Sequence, residues 1–200
     1  MKTKRLLFLV MAIYLASGVK AQKHEFSDGL FWELNNGVLT ISGNGAIKDY
    51  SHPWDGKGNV EKVVIENGVT SIGDAVFWEN NKPQHNLKSV VIGNSVTSIG
   101  GHAFSHCNNL SSVTLPNSLK TIREYTFYGC KSLASIIIPN SVTSIGYVAF
   151  GHCENLLSVT IPNSVVNIGE RAFTGCSNLT SVTMPSSVTS IGECAFSGCI

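Results

Sequence analysis

Apolar residues return along this chain at an interval far longer than the period of a helix or a strand. The isoleucine of an Ile-Gly step, written Ile-Arg once, recurs at Ile72, Ile99, Ile122, Ile145, Ile168 and Ile191, spaced by 27 residues and then by 23 four times. A fixed period in the twenties predicts a solenoid, in which each coil of chain stacks on the one before. Within each period an apolar residue is followed by a second three positions later and a third five positions later. The trios are Leu87, Val90, Ile92; Leu110, Val113, Leu115; Leu133, Ile136, Ile138; Leu156, Val159, Ile161; and Leu179, Val182, Met184. The last two members alternate with a polar or exposed position, which predicts a short β-strand per coil. A second apolar pair follows, such as Val142 and Ile145, and then a Phe preceded by a small residue: Phe104, Phe127, Phe150, Phe173 and Phe196. One coil cannot bury these side chains alone, so each Phe is expected to stack on its counterpart in the next coil. Pro116, Pro139, Pro162 and Pro185 are placed to stop each strand. The Gly after each Ile is expected to permit a tight bend.

Residues 158 to 179 read Ser-Val-Thr-Ile-Pro-Asn-Ser-Val-Val-Asn-Ile-Gly-Glu-Arg-Ala-Phe-Thr-Gly-Cys-Ser-Asn-Leu. This motif, repeated over residues 63 to 200, closely resembles the BspA-like family of leucine-rich repeats found in bacterial surface proteins. The stretch from Leu30 to Tyr50, with Pro53-Trp54, is similar to the segment that often precedes such repeats. The resemblance implies a secreted or surface-displayed binding protein, some family members acting as adhesins toward host matrix or other cells. It brings no shared catalytic residues.

The predicted architecture is a repeat solenoid of about 23-residue coils with short parallel β-strands, preceded by a β-hairpin cap. Residues 1–21 read as a secretory signal: a charged start, an apolar run from Leu6 to Ala16 too short to span a bilayer, and small residues before the cleavage point. Residues 22–62 form the expected cap, with Asn35-Asn36-Gly37 as a hairpin turn and Trp32 and Leu34 available to shield the first coil. Residues 63–200 hold five complete repeats and a truncated sixth. The four-residue excess of the first repeat falls at residues 79–85 and is expected to form a loop. The chain stops within a repeat at Gly198-Cys199-Ile200, which suggests a longer parent protein, because terminal repeats normally carry a polar cap.

Charge narrows the partner class. The chain carries a formal charge of +1, and removal of residues 1–21, with four basic and no acidic residues, changes this to −3. No basic stripe points to nucleic acid. Ser, Thr, Asn and Gly supply most of the polar surface, which suits broad contact more than electrostatic steering.

Six cysteines in a secreted chain invite a disulfide framework, but their positions argue against it. Cys107, Cys130, Cys153, Cys176 and Cys199 occupy one point of successive repeats. They should form a column with about 5 Å between neighbours, all side chains pointing alike, which is poor geometry for a disulfide. Buried thiols packed as small hydrophobes are the expected outcome. A straight column also cannot converge on a tetrahedral zinc. Cys194 lies off the column and is the thiol expected at the surface.

The chain carries no His-Glu-x-x-His, Gly-x-Ser-x-Gly or phosphate-loop motif. His102 and His106 are four apart, the spacing of metal ligands on a helical turn, yet no third ligand lies nearby in sequence, and two solvated histidines are expected. No catalytic residue, metal or cofactor is assigned. Surface remains. Val91, Thr114, Ile137, Thr160 and Thr183 should form an outward-facing row on the strands. On another face, Trp78, His102, Tyr125 and Tyr147, with Tyr128, put aromatic or imidazole rings where the repeat does not require them. The first four are the candidate binding residues. The chain therefore reads as a non-catalytic, secreted or cell-surface scaffold, adhesin-like, that recognises a host matrix or cell-surface protein or glycan through an extended repeat face. Contact with a membrane is expected only through a C-terminal anchor beyond Ile200. The alternatives are a structural spacer presenting a further C-terminal domain, and the repeat ectodomain of a larger secreted hydrolase.

Overall fold

A computed structural model describes residues 22–27, 29–78 and 85–200. The signal segment 1–21 and most of the loop at 79–85 lie outside the described residues. Among the described residues fifteen short strands follow one another: β1 (His24–Ser27), β2 (Leu30–Asn35), β3 (Val38–Gly43), β4 (Gly45–Ile47), β5 (Val60–Ile65), β6 (Val69–Ile72), β7 (His85–Ile92), β8 (Ser98–Ile99), β9 (Ser112–Thr114), β10 (Thr121–Ile122), β11 (Ser144–Ile145), β12 (Ser158–Thr160), β13 (Asn167–Ile168), β14 (Ser181–Thr183) and β15 (Ser190–Ile191). Among the described residues no helix is long and apolar enough to cross a membrane.

The strands stack in the predicted solenoid. One ladder runs β1-β2-β3-β5-β7-β9 and resumes as β12-β14; a second runs β4-β6-β8, then β10-β11-β13-β15. Beyond the hairpin the pairing is parallel and in repeat register: Val63 meets Val90, Val90 meets Val113, and Ile122, Ile145, Ile168 and Ile191 pair in succession. The hairpin forms as expected. Asn35 pairs with Val38 across a two-residue turn in which Asn36 and Gly37 both have left-handed φ. Its second strand is already solenoidal, since β3 pairs in parallel with β5. Strand β1 adds to the outer edge of β2, and His24 stacks on Trp32 at 4.4 Å.

One predicted strand does not form. In the coil of Leu133, Ile136 and Ile138 the inner segment keeps its burial pattern, with Ile137 outward and 85% exposed, but pairs as no strand, so the first ladder breaks there. The reason for the Gly after Ile also differs from the expected bend. Gly146 has no left-handed φ; a Cβ on it would lie 2.8 Å from the backbone carbon of Arg123 in the preceding coil. Close approach of coils, not turn conformation, excludes a side chain.

The core is a set of columns. Phe77, Phe104, Phe127, Phe150, Phe173 and Phe196 stack nearly parallel with centroids 5.1–5.6 Å apart, and Trp54 heads the column 5.4 Å from Phe77. Beside them runs the thiol column, and none of the six cysteines is in a disulfide. The thiols do more than fill space. Each column Sγ donates to the carbonyl of the Phe one coil earlier, Cys153 to Phe127 and Cys176 to Phe150, at 3.1–3.4 Å. The Ser of the Asn-Ser-Val-Thr motif works similarly: Ser95, Ser118 and Ser141 donate to the carbonyls of Val69, Val96 and Leu119 in the coil before.

Candidate functional site

The outer edge of the solenoid is a third hydrogen-bonded ladder, made of turns. The N–H groups of His102, Phe104 and His106 donate to the carbonyls of Glu124, Thr126 and Tyr128 in the next coil. Tyr125, Phe127 and Gly129 repeat this toward Tyr147, Ala149 and Gly151. The turn requires left-handed backbone at a fixed point of each coil: Ala75, His102, Tyr125, Val148, Arg171 and Cys194 all have φ of 50–56°. A second such point is held by His106, Gly129, His152, Gly175 and Gly198. His102 and His106 therefore sit on an irregular turn, both left-handed, and the expected helical spacing does not apply.

This edge gathers three of the four candidate residues. His102 stacks on Tyr125 at 4.5 Å and 12°, and Tyr125 meets Tyr147 edge-on at 5.3 Å. Tyr147 accepts a hydrogen bond from Arg171 at 3.4 Å, and Arg171 pairs with Glu170 at 2.9 Å. Burial, followed by the hydrogen bond with Tyr147, holds the Tyr125 phenol above its ordinary value. Trp78 stays apart. It belongs to the repeat position of Ser105 and Tyr128, and the small, buried Ser105 separates it from the tyrosines.

A second row of rings lies alongside. His106 meets Tyr128 at 5.0 Å, Tyr128 meets His152 at 5.5 Å, and Tyr125 and Tyr128 join the rows at 5.5 Å. Next to it runs a polar column of Asn108, Lys131 and Glu154, the last two paired at 2.9 Å. Together these residues line a shallow cleft of about 330 Å3. His106 is held below the ordinary histidine value of 6.5, first by burial and then by the nearby His102 and Lys131. In sequence His106, with His102, reads as solvated, and His152 only repeats the position of His106 two coils away. The available signal was their shared repeat position with Gly129 between them. Among the described residues no group of three His, Cys, Asp or Glu is arranged to hold a metal ion.

On the strand face the predicted row of Val91, Thr114, Ile137, Thr160 and Thr183 does point outward. Its members offer hydroxyls at three positions and apolar side chains at two.

Comparison with known proteins agrees with this architecture. Residues 81–200 match the model of the BspA type leucine-rich repeat region in six copies. No curated protein matches the chain. Among solved structures, a leucine-rich cell surface protein from Faecalibacterium prausnitzii is 34% identical, with a TM-score of 0.67 over 92% of this chain and 48% of its own. A leucine-rich repeat protein from T. pallidum is 28% identical, with a TM-score of 0.61 over 85% of this chain and 82% of its own. One from Bacteroides ovatus is also 28% identical, with a TM-score of 0.64 over 88% of this chain and 45% of its own. The chain thus spans about half the length of the F. prausnitzii and B. ovatus proteins. Its repeat period, stacked Phe column and matched repeat region place it in one family: the chain belongs to the BspA-type leucine-rich repeat proteins.

Proposed function

We propose that this protein is a non-catalytic binding scaffold, secreted or displayed at the cell surface, which recognises a host matrix or cell-surface protein or glycan in the manner of an adhesin. One observation carries the reading. His102, Tyr125 and Tyr147, joined by His106, Tyr128 and His152, form a continuous ridge across three coils at positions where the fold needs no ring. Aromatic side chains give large contact area at low entropic cost and anchor many interfaces. A rigid stack of coils offers broad, pre-ordered surface, the form large partners require. The leucine-rich cell surface protein of F. prausnitzii supports the surface location.

The test is a binding screen of the purified chain against immobilised host matrix proteins and bacterial surface polymers, followed by alanine changes at Trp78, His102, Tyr125 and Tyr147. Loss of binding in Tyr125→Ala and Tyr147→Ala with an unchanged melting temperature is the expected result. Loss confined to Thr114, Thr160 and Thr183 variants would move the contact to the strand face and overturn the assignment of the ridge.

A further inference from the structure

We infer that the cleft between His106 and His152 seats one pyranose unit of a neutral linear glycan running along the solenoid axis. The inference rests on the binding role proposed above and assigns its ligand class.

The cleft owes its existence to an alternation. His106, Gly129 and His152 occupy equivalent points of three coils, with φ of 60°, 69° and 55°. The middle residue has no side chain, so the cleft is floored by bare backbone at that coil. A Cβ at Gly129 would intrude to 3.1 Å from His106 Nδ1. Tyr128 touches both imidazoles, at 5.0 and 5.5 Å, with its ring nearly perpendicular to each. Asn108, Lys131 and Glu154 supply a further wall, one residue per coil. The volume of about 330 Å3 is far larger than an ion needs and lies at the small end of ligand sites.

The chemistry of the lining selects the ligand. Ring surface is combined with an amide, an ammonium, a carboxylate, a phenol and imidazoles, so donors and acceptors are both plentiful. A pyranose presents apolar C–H faces and a rim of hydroxyls that donate and accept, which matches this mixture. Lys131 and Glu154 neutralise each other at 2.9 Å, which favours an uncharged ligand over a phosphate or carboxylate. Burial foremost lowers the His106 imidazole from its ordinary value, which favours the neutral form, a donor and an acceptor together.

Spacing separates a glycan from a peptide. Rings of successive coils lie 4.5–5.5 Å apart along both rows. One pyranose unit in an extended chain has about the length of the inter-strand spacing of roughly 5 Å, so successive sugars meet successive coils in register. An extended peptide advances by about 3.3 Å per residue and turns alternate side chains away, so it falls out of register over three coils.

The experiment titrates the purified chain with cello-, chito- and manno-oligosaccharides of increasing length, and with a sulfated oligosaccharide, using calorimetry and saturation-transfer NMR. Affinity for one neutral series should rise about tenfold or more from the monosaccharide to the trisaccharide and then level off. Tyr128→Ala and Lys131→Ala should each weaken the trisaccharide about tenfold, with Tyr50→Ala as a surface control. Binding of the sulfated chain alone, or neutral binding unaffected by Tyr128→Ala, overturns the inference. A second arm uses the matrix proteins before and after enzymatic deglycosylation. Capture that survives deglycosylation and falls with Tyr125→Ala keeps the binding role and removes the glycan. Absence of binding in both arms removes both readings.

Discussion

Phe150 lies fully buried between Phe127 and Phe173, with centroids 5.5 and 5.1 Å away. Its truncation leaves a cavity that the neighbouring coils, tied by backbone hydrogen bonds, cannot collapse to fill. Phe150→Ala is expected to cost about 3–5 kcal/mol in denaturant unfolding, and Phe150→Leu much less. A measured loss below about 1 kcal/mol for the alanine variant would remove Phe150 from the core. Two serines at one repeat position make a sharper comparison. Ser141 Oγ donates to Leu119 O at 2.6 Å, whereas Ser164 Oγ is buried with no hydrogen-bond partner among the described residues. Ser141→Ala should therefore cost about 1 kcal/mol, while Ser164→Ala should be neutral or slightly stabilising. Equal losses at the two positions would show that the hydroxyl-to-carbonyl bond is not what the repeat motif preserves.

At the scale of the element, the thiol column behaves as one unit. Burial and the neighbouring Cys199 push the Cys176 thiol up to about 12, and burial foremost raises Cys153 well above its ordinary value. Because the thiolate is the reactive form, these groups are doubly protected, by access and by protonation. A thiol reagent applied to the native chain near neutral pH should modify the exposed Cys194 first and Cys199 more slowly, leaving the other four until denaturation. Mass spectrometry that finds Cys130 linked to Cys153 would refute the column as described. The same logic of vertical repetition explains the outer edge. Because the turn requires left-handed backbone at a fixed point but makes little demand on the side chain, that point holds His, Tyr, Val, Arg and Cys in successive coils. Structural constraint on the backbone and freedom in the side chain together make it a place where function can vary.

For the molecule as a whole, parallel ladders set how stability is distributed. A solenoid is held by nearest-neighbour contacts, so a weak junction between two coils stays local. The first ladder is interrupted at the coil of Ile136 to Ile138, between β9 and β12. Amides of Ile136 and Ile137 should exchange with solvent faster than those of Val159 and Thr160 in β12, as read by hydrogen-exchange mass spectrometry or NMR. Protection equal to that of β12 would mean that the two ladders are continuous in solution. At the final coil, Met184, Ile191 and Ile200 are exposed, whereas the equivalents Ile138 and Ile145 are covered by a neighbour.

The recurrence of apolar residues at 23-residue intervals was sufficient to predict the coil, the parallel strands and the Phe stack, because each depends on spacing along the chain and on which side chains avoid water, and the turn residues Asn36-Gly37 were sufficient for the hairpin. The strand row facing outward was legible for the same reason. Four features required the folded chain. Trp54 heads the Phe column from a segment that shares no repeat motif, so only its position in space reveals the contact. The coil-to-coil clearance at Gly146 looks like turn chemistry in sequence, because a missing side chain carries no sign of what excluded it. The thiol and serine bonds to the preceding coil join groups more than 20 residues apart, and polarity alone does not disclose their acceptors. The cleft is the clearest case. In sequence His106 and His152 share only a repeat position and Tyr128 is one aromatic among several, and the three become one site only because parallel stacking brings every coil's equivalent position to within about 5 Å of the next.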